Sequence, residues 1–391
     1  MASQRSRVPA FEVMTVLDKV ASLRAAGREV ISLCAGEPAQ GAPADVRRRA
    51  VEVLGDGTPL GYSTTFGLRE LREAIAGHYR RWYSLEVDPA NILITTGASG
   101  AFLIGFLAAF DVGDRVALTR PGYPAYRNIL SSLGCAVVEL DCGPEQQYRP
   151  TVEQLAAAHA EAPLAGFVLA SPANPTGTMV SAEELAAIAA WCADNEVRLV
   201  SDEIYHGITA DPADPGACAW ATDRSALVIE SFSKFWGMTG WRLGWTLVPD
   251  DLLAAMDALA GNYALCAPVP AQHAAVAAFT EASYAEGYAA VAEFARAREV
   301  VLGAAGDLGW ADIAPADGAF YVYADLTPVL GAHRDTRAWS DALLEATGVA
   351  VTPGIDFDTV HGGSAVRLSL AAGPETLTEA VTRIIDFQRV S

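Results

Sequence analysis

The sequence predicts an α/β protein: a large domain with a mostly parallel, doubly wound sheet flanked by helices, plus a smaller α+β domain. A length of 391 residues suits two domains. Between about residues 92 and 248, short and nearly continuous apolar runs alternate with helix-like segments, as in sheets covered on both faces. Beyond about residue 285 the alternation gives way to a long alanine-rich helix and shorter elements.

The first elements are a helix, a short strand and a second helix. Residues 11–26 place apolar side chains at helical spacing, and residues 30–33 resemble a strand. Gly67 ends a loop, and a long helix with an apolar face follows it.

Seven strands are then predicted for the large domain, at 92–95, 116–119, 136–140, 167–170, 198–201, 227–230 and 245–248. One of the intervening helices opens with Ser181 and Glu184, a capping box that satisfies free amides at a helix start.

The tail contains a helix after residue 285, a helix near 339–347 and a last helix, with strands at 319–326, 349–352 and 366–370. We therefore predict an N-terminal segment (1–45) packed on the small domain, a large domain (46–285) and a small C-terminal domain (286–391).

Charge and composition exclude several classes of protein. The 27 basic and 47 acidic residues give a net charge of −20, which repels nucleic acids and anionic membranes. The longest apolar run, 101–110, is too short to cross a bilayer. No secretion signal is evident, and the six scattered cysteines lack metal-ligand spacing. We expect a cytoplasmic protein without a metal site.

Only Lys19 and Lys234 are lysines. Neither lies in a phosphate-binding P-loop, nor in the Lys-Thr-Gly of penicillin-recognising serine enzymes.

Polar residues gather where predicted strands end. The first two are the turn 96–100 and the loop 171–177, which contains Asn174. The others are Asp202 and the segment from Ser231 to Lys234, which Arg242 follows eight residues after the lysine. In open α/β sheets such ends form the ligand site. Individually these features are also compatible with ordinary turns, a helix cap and a surface lysine. Together they supply a phosphate cradle, a buried acid and an amine, the parts of a pyridoxal phosphate site.

The chain resembles the class I/II aminotransferases of fold type I, the aspartate aminotransferase superfamily. The resemblance rests on the order of its motifs, which are Gly-Ala-Ser, Asn-Pro-Thr-Gly, Asp-x-x-Tyr, Ser-x-Ser-Lys and a following Arg. The resemblance extends from about residue 30 to 370. It implies pyridoxal 5′-phosphate as cofactor and a ping-pong transamination, in which an amino acid gives its amine to the cofactor and a 2-oxo acid collects it.

The resemblance also implies roles for individual residues. Lys234 would bind the cofactor covalently and shuttle a proton, Asp202 would pair with the pyridine nitrogen, and Tyr123 would stack on the ring. Further cofactor contacts would come from Asn174, Tyr205, Ala98, Ser99, Ser231, Ser233 and Arg242. Tyr62 matches the tyrosine that reaches the neighbouring subunit's phosphate, which implies a homodimer with shared sites.

For the substrate, the resemblance implies that Arg367 grips the α-carboxylate, with Gly36 and Asn174 beside it. Two departures leave the substrate open. The family's frequent Glu-Pro-Asp-Phe loop is altered after Glu37, and Ser99 stands where some dicarboxylate-specific relatives have a lysine. Recognition of aspartate through that lysine is excluded, although an arginine could replace it.

Three alternatives stay open at this point. The same site could serve a C–S β-lyase, or an oxidase or cyclase in biosynthesis. A ligand-sensing regulator would carry a DNA-binding domain ahead of residue 30, where we expect no room for one. A serine hydrolase could use Ser231 and Lys234, but the Lys-Thr-Gly motif is missing.

Overall fold

The computed structural model describes residues 2–57 and 59–390. Its strands are β1 (Ile31–Ser32), β2 (Ile92–Thr95), β3 (Arg115–Arg120), β4 (Ala136–Asp141), β5 (Gly166–Ala170), β6 (Arg198–Asp202), β7 (Leu227–Ser231), β8 (Gly244–Leu247), β9 (Tyr321–Asp325), β10 (Val349–Ala350), β11 (Thr352–Pro353) and β12 (Ala365–Ser369).

The α-helices of this part of the chain are α1 (Glu12–Ala25), α2 (Ala44–Gly55), α3 (Arg69–Tyr83), α4 (Gly97–Ala109), α5 (Pro124–Leu133), α6 (Val152–Glu161), α7 (Ala182–Asp194), α8 (Leu253–Ala264), α9 (Val269–Ala275), α10 (Glu281–Gly303), α11 (Ala305–Leu308), α12 (Thr336–Thr347) and α13 (Pro374–Gln388).

The large sheet has the strand order β2-β8-β7-β6-β5-β3-β4 across residues 2–57 and 59–390. Strand β8 runs antiparallel to both of its neighbours, while the pairs from β7 to β4 are parallel. Every residue of β2, β7 and β8 is buried, because helices cover both faces of the sheet. The predicted α/β architecture is confirmed, with each predicted strand found within one or two residues.

Local signals explain where several helices begin. The Ser181 hydroxyl accepts from the Glu184 amide at 3.1 Å, and the Glu184 carboxylate accepts from the Ser181 amide at 2.7 Å. This is the capping box predicted from the sequence. Helix α6 begins with a second one, formed by Thr151 and Gln154, which the sequence analysis did not identify.

A smaller antiparallel sheet has the order β11-β12-β9, and β1 pairs in parallel with β10. The N-terminal segment thus joins the C-terminal part of the chain. The strand predicted at 349–352 was wrong in one respect: it is two short strands, because β10 pairs with β1 whereas β11 pairs with β12. The domain boundaries at 45 and 285 stay a prediction.

Trp339 anchors the helices of the C-terminal part. Its side chain is fully buried in α12 and meets the Phe387 ring edge-on at a centroid distance of 5.7 Å. Deleting a buried indole leaves a cavity that the surrounding helices fill only partly.

We therefore expect Trp339→Ala to lower the free energy of unfolding by about 3–5 kcal/mol. Urea unfolding followed by circular dichroism measures this. Val390→Ala, at an exposed position near the C-terminus, is the control and should change stability by less than about 0.5 kcal/mol. A loss no larger than that of the control would contradict the assigned packing role.

Candidate active site

Nearly all the predicted site residues line one cavity of about 410 Å³ at an edge of the large sheet. These residues are Gly36, Ala98, Ser99, Tyr123, Asn174, Asp202, Tyr205, Ser231, Ser233, Lys234, Arg242 and Arg367. Tyr62 does not line the cavity, and it is 82% exposed.

Strand register explains why these residues meet. Asp202 is the last residue of β6 and pairs with Ala170 of β5 and Ile229 of β7. Ser231 ends β7 and pairs with Gly244, the first residue of the antiparallel β8. The carboxyl ends of the parallel strands and the start of β8 therefore share one edge, where ligands bind in open α/β sheets.

Two glycines allow an anion cradle to form at this edge. Gly97 begins α4 with φ +72°, and a Cβ there would lie 2.6 Å from Arg242 Nη2. A Cβ on Gly244 would lie 3.0 Å from the Ala98 amide nitrogen. The Arg242 guanidinium and strand β8 can thus approach the positive N-terminal end of α4, where free amides attract a phosphate.

Asp202 provides a buried carboxylate. It is 3% exposed, accepts from the Tyr126 hydroxyl, and accepts from the Ile204 amide at 3.2 Å. Burial raises the pKa of Asp202 to about 6, against the opposing effects of these hydrogen bonds and of Lys234. Because a buried carboxylate needs a cationic partner, this position suits the protonated ring nitrogen of a ligand.

Lys234 provides an amine of lowered basicity. Burial, and secondarily the Arg367 charge, lower the pKa of Lys234 to about 8, while Asp202 and Glu37 act in the opposite direction. Its Nζ donates to the Gly36 carbonyl at 2.6 Å. Within the described residues no hydrogen bond joins Nζ to Ser231, whose hydroxyl accepts from the Ser233 amide at 2.9 Å. The paired geometry that a serine hydrolase needs is therefore not formed.

Arg367 reaches the cavity from β12 and is 4% exposed. Its Nη1 donates to Asn174 Oδ1 at 3.0 Å and its Nη2 to the Cys34 carbonyl at 2.9 Å. The guanidinium carbon lies 4.5 Å from the Tyr321 ring centroid and 4.8 Å from that of Phe357. Its buried Nε has no hydrogen-bond partner among residues 2–57 and 59–390. A buried orphan donor on a fixed guanidinium suits a carboxylate ligand.

Several cavity residues were missed by sequence reasoning. They include Tyr126 beside Asp202, Tyr321 with its hydroxyl 2.8 Å from that of Tyr205, and Asp356 and Phe357 after β11. Helix α1 and the residue before it add Phe11, Val13, Met14 and Leu17. Tyr126 lies three residues after Tyr123, one helical turn along α5, so helical spacing could have found it. The others depend on how distant segments pack, for which the sequence carried no signal.

The fold and this cavity define an aminotransferase, and comparison with known proteins gives the same class. The family described as aminotransferase class I and II matches residues 28–384. The chain belongs to this family and is a transaminase.

Two relatives illustrate the similarity. The valine–pyruvate aminotransferase of Mycobacterium tuberculosis is 50% identical over 97% of this chain and 96% of its own length. The aspartate/prephenate aminotransferase of Thermus thermophilus is 34% identical over 95% of this chain and 94% of its own length. A crystal structure of an aminotransferase from M. tuberculosis superimposes with a TM-score of 0.96, at 48% identity and full coverage of both chains. The predictions of family, fold class and transaminase activity are confirmed.

Two findings concern other kinds of site. Among residues 2–57 and 59–390, no helix has the length and apolar character needed to cross a membrane. The same residues contain no cluster of three or more His, Cys, Asp or Glu side chains suited to a metal ion.

The buried charge of Asp202 should reduce the stability of the ligand-free chain. Its pKa is raised from 3.8 to about 6, so folding favours the protonated form and the ionised form is penalised above about pH 6. We expect Asp202→Asn to stabilise the ligand-free chain by up to about 3 kcal/mol at pH 7. The gain should vanish below about pH 4, where the carboxyl is protonated in both states.

Urea unfolding at pH 4 and pH 7 measures this difference, with Asp341→Asn, at an exposed position, as the control. An equal effect of Asp202→Asn at both pH values would show that the carboxylate charge is not the cause.

Proposed function

We propose that this transaminase holds pyridoxal 5′-phosphate in the 410 Å³ cavity and moves the amino group of a neutral, aliphatic amino acid to a small 2-oxo acid. The observation that carries the proposal is the convergence of Lys234, Asp202 and the cradle of Gly97 and Arg242 on one sheet edge. When bound, the cofactor supplies an aldehyde that takes up the amine and a ring that withdraws electrons from the substrate.

The residues of the cavity fit this cofactor by their chemistry. The phosphate would be held by Arg242, Ser231, Ser233 and the amides of Ala98 and Ser99. Asp202 would pair with the ring nitrogen and Tyr123 would stack on the ring. Asn174 and Tyr205 would donate to the ring oxygen; the Tyr205 hydroxyl is held in place by Tyr321.

Lys234 would bind the cofactor covalently and move the reacting proton. Because its pKa is lowered to about 8, a substantial fraction of the amine is neutral near pH 7.5. A neutral Nζ can take the proton from the substrate Cα and return it, which a protonated amine cannot do. The hydrogen bond from Nζ to the Gly36 carbonyl keeps the amine at the cavity wall.

Arg367 would bind the α-carboxylate of the substrate, with Gly36 and Asn174 beside it. Its guanidinium lies between the Tyr321 and Phe357 rings, and two of its nitrogens are fixed by Asn174 and Cys34. A guanidinium whose plane is fixed in advance loses little entropy when it grips a carboxylate. Orientation of the Cα–H bond would follow from this grip.

The substrate class follows from what remains of the cavity wall. Its basic residues are Lys234, Arg242 and Arg367, all assigned above. Many of the other lining side chains are apolar, among them Phe11, Val13, Met14, Leu17 and Ile129. An aliphatic side chain suits such a wall, and the 50% identical relative is named for valine and pyruvate.

A homodimer with shared sites is part of the proposal. Tyr62 is 82% exposed on the monomer although it matches a cofactor-binding position. Other large apolar side chains are also exposed, among them Val51, Leu54, Tyr263 and Leu265. A second copy covering this face would bury them and bring Tyr62 to its own phosphate cradle. A cytoplasmic location also stays a prediction.

Replacement of Lys234 tests the proposed cofactor site. We expect Lys234→Ala to abolish the visible absorbance of covalently held cofactor and to slow amino transfer by about a thousandfold or more. Lys19→Ala, at the chain's other lysine, which pairs with Asp341 on the surface, is the matched control. A Lys234→Ala protein whose cofactor is still fixed to another residue by borohydride would overturn the assignment.

Tyr62→Phe tests the shared site. Loss of one hydrogen bond to a charged phosphate should weaken cofactor affinity by about tenfold while the dimer persists. Titration with pyridoxal phosphate and sedimentation velocity measure the two properties, with Tyr263→Phe as control. A monomeric wild-type protein, or unchanged affinity in Tyr62→Phe, would refute this part of the proposal.

A further inference from the structure

We infer that Asp356 is a specificity-determining residue of the transaminase: its carboxylate keeps amino acids with acidic side chains out of the cavity. The inference deepens the proposed function, on which it rests, by assigning the choice of neutral substrates to one residue. Asp356 was not among the residues indicated by the sequence.

Asp356 lies at the side of the cavity formed by the N-terminal helix. It closes a short 3₁₀ turn, Gly354–Asp356, between β11 and β12, and it lines the cavity together with Phe357. Its Oδ2 accepts from the amide of Val13 in the first turn of α1 at 3.3 Å. The carboxylate therefore links the small sheet to the helix that supplies Met14 and Leu17 to the apolar wall.

No salt bridge joins the Asp356 carboxylate to a cation within residues 2–57 and 59–390. Arg127, the nearby arginine, donates to the backbone carbonyl of Asp356 at 3.1 Å and to the Glu139 carboxylate at 3.0 Å. Glu12, next to Val13, is already paired with Arg337 at 2.8 and 2.9 Å. The α1 amide and the more distant Arg127 charge offset part of the negative charge of Asp356, but no cation of the described residues pairs with it directly.

Arg127 is the arginine bonded to the backbone of Asp356, but it does not line the cavity itself. Both of its terminal nitrogens are occupied, one by Glu139 and one by a main-chain carbonyl. Glu139 is held in turn by the Thr359 hydroxyl at 2.7 Å. To bind an acidic substrate, Arg127 would have to break these bonds, and the substrate would still meet Asp356.

The rest of the cavity offers an acidic side chain no compensation. Its three basic residues serve the cofactor and the α-carboxylate, and a second acid, Glu37, lies on the wall with its Oε2 bonded by the Thr239 hydroxyl at 3.2 Å. A distal carboxylate would therefore approach two acids that have no direct salt-bridge partner in the described part of the chain, without gaining a cation itself. Like charges placed together at low dielectric are a common means of rejecting a wrong ligand.

The test compares valine with glutamate and aspartate as amino donors to pyruvate, using the cofactor-loaded enzyme. Asp356→Asn removes the charge but keeps an oxygen that can accept from the Val13 amide. We expect the ratio of kcat/KM for valine to that for glutamate to fall by at least about tenfold, chiefly through a lower KM for glutamate.

Two further variants separate charge from structure. Asp356→Ala removes the charge and also the acceptor for α1, so KM for valine should rise as well. Asp341→Asn removes the same charge at an exposed site on α12, where it pairs with Lys19, and should leave the ratio unchanged.

An unchanged ratio in Asp356→Asn would overturn the inference. A ratio that falls only because KM for valine rises, with KM for glutamate unchanged, would also overturn it, since the residue would then act only on the helix. A wild-type enzyme that prefers glutamate or aspartate to valine would refute the proposed substrate class itself. The two failures are distinguishable because only the second appears without any mutation.

Discussion

The structure depends on the need to place several charges of both signs in one cavity at the edge of a buried sheet. Asp202 and Arg367 are buried and Lys234 is half-buried, and each ionised form depends on compensating partners. Asp202 accepts hydrogen bonds from the Tyr126 hydroxyl and the Ile204 amide. Arg367 donates to the Asn174 side chain and the Cys34 carbonyl. The cavity is arranged around these requirements, which suit the proposed cofactor with its cationic ring nitrogen and phosphate, and the proposed substrate with its carboxylate.

This balance also explains why the site draws on the whole chain. Arg367 belongs to β12 of the small sheet, yet it bonds a side chain from the loop after β5 and a carbonyl near the N-terminus. Lys234, from the loop after β7, bonds the carbonyl of Gly36 in that same N-terminal region. The guanidinium proposed to bind the substrate and the amine proposed to react therefore depend on the pairing of β1 with β10 as well as on the large sheet.

The scarcity of lysine acquires a chemical meaning in this setting. Arginine remains protonated at any working pH, so it can bind phosphate and carboxylate but cannot serve as a proton-moving amine. In the proposed site, Arg242 would bind the phosphate and Arg367 the carboxylate, and Lys234 would be the amine that moves the proton. Burial lowers the pKa of Lys234 to about 8, so that part of the amine is neutral near neutral pH.

The sequence by itself determined the fold class, the family and most of the residues proposed to bind the cofactor. Strands buried on both faces leave nearly continuous apolar runs, and residues such as Asn174, Asp202 and Lys234 follow those runs at the strand ends. Only the tertiary structure decided the proposed substrate side of the cavity. Tyr321 lies on the small sheet, Asp356 and Phe357 lie in the connection between two of its strands, and Met14 comes from a helix that packs on that sheet, so no local pattern marks them. The split of the strand predicted at 349–352 has the same origin, because hydrogen-bond partners far along the chain determined where each piece paired.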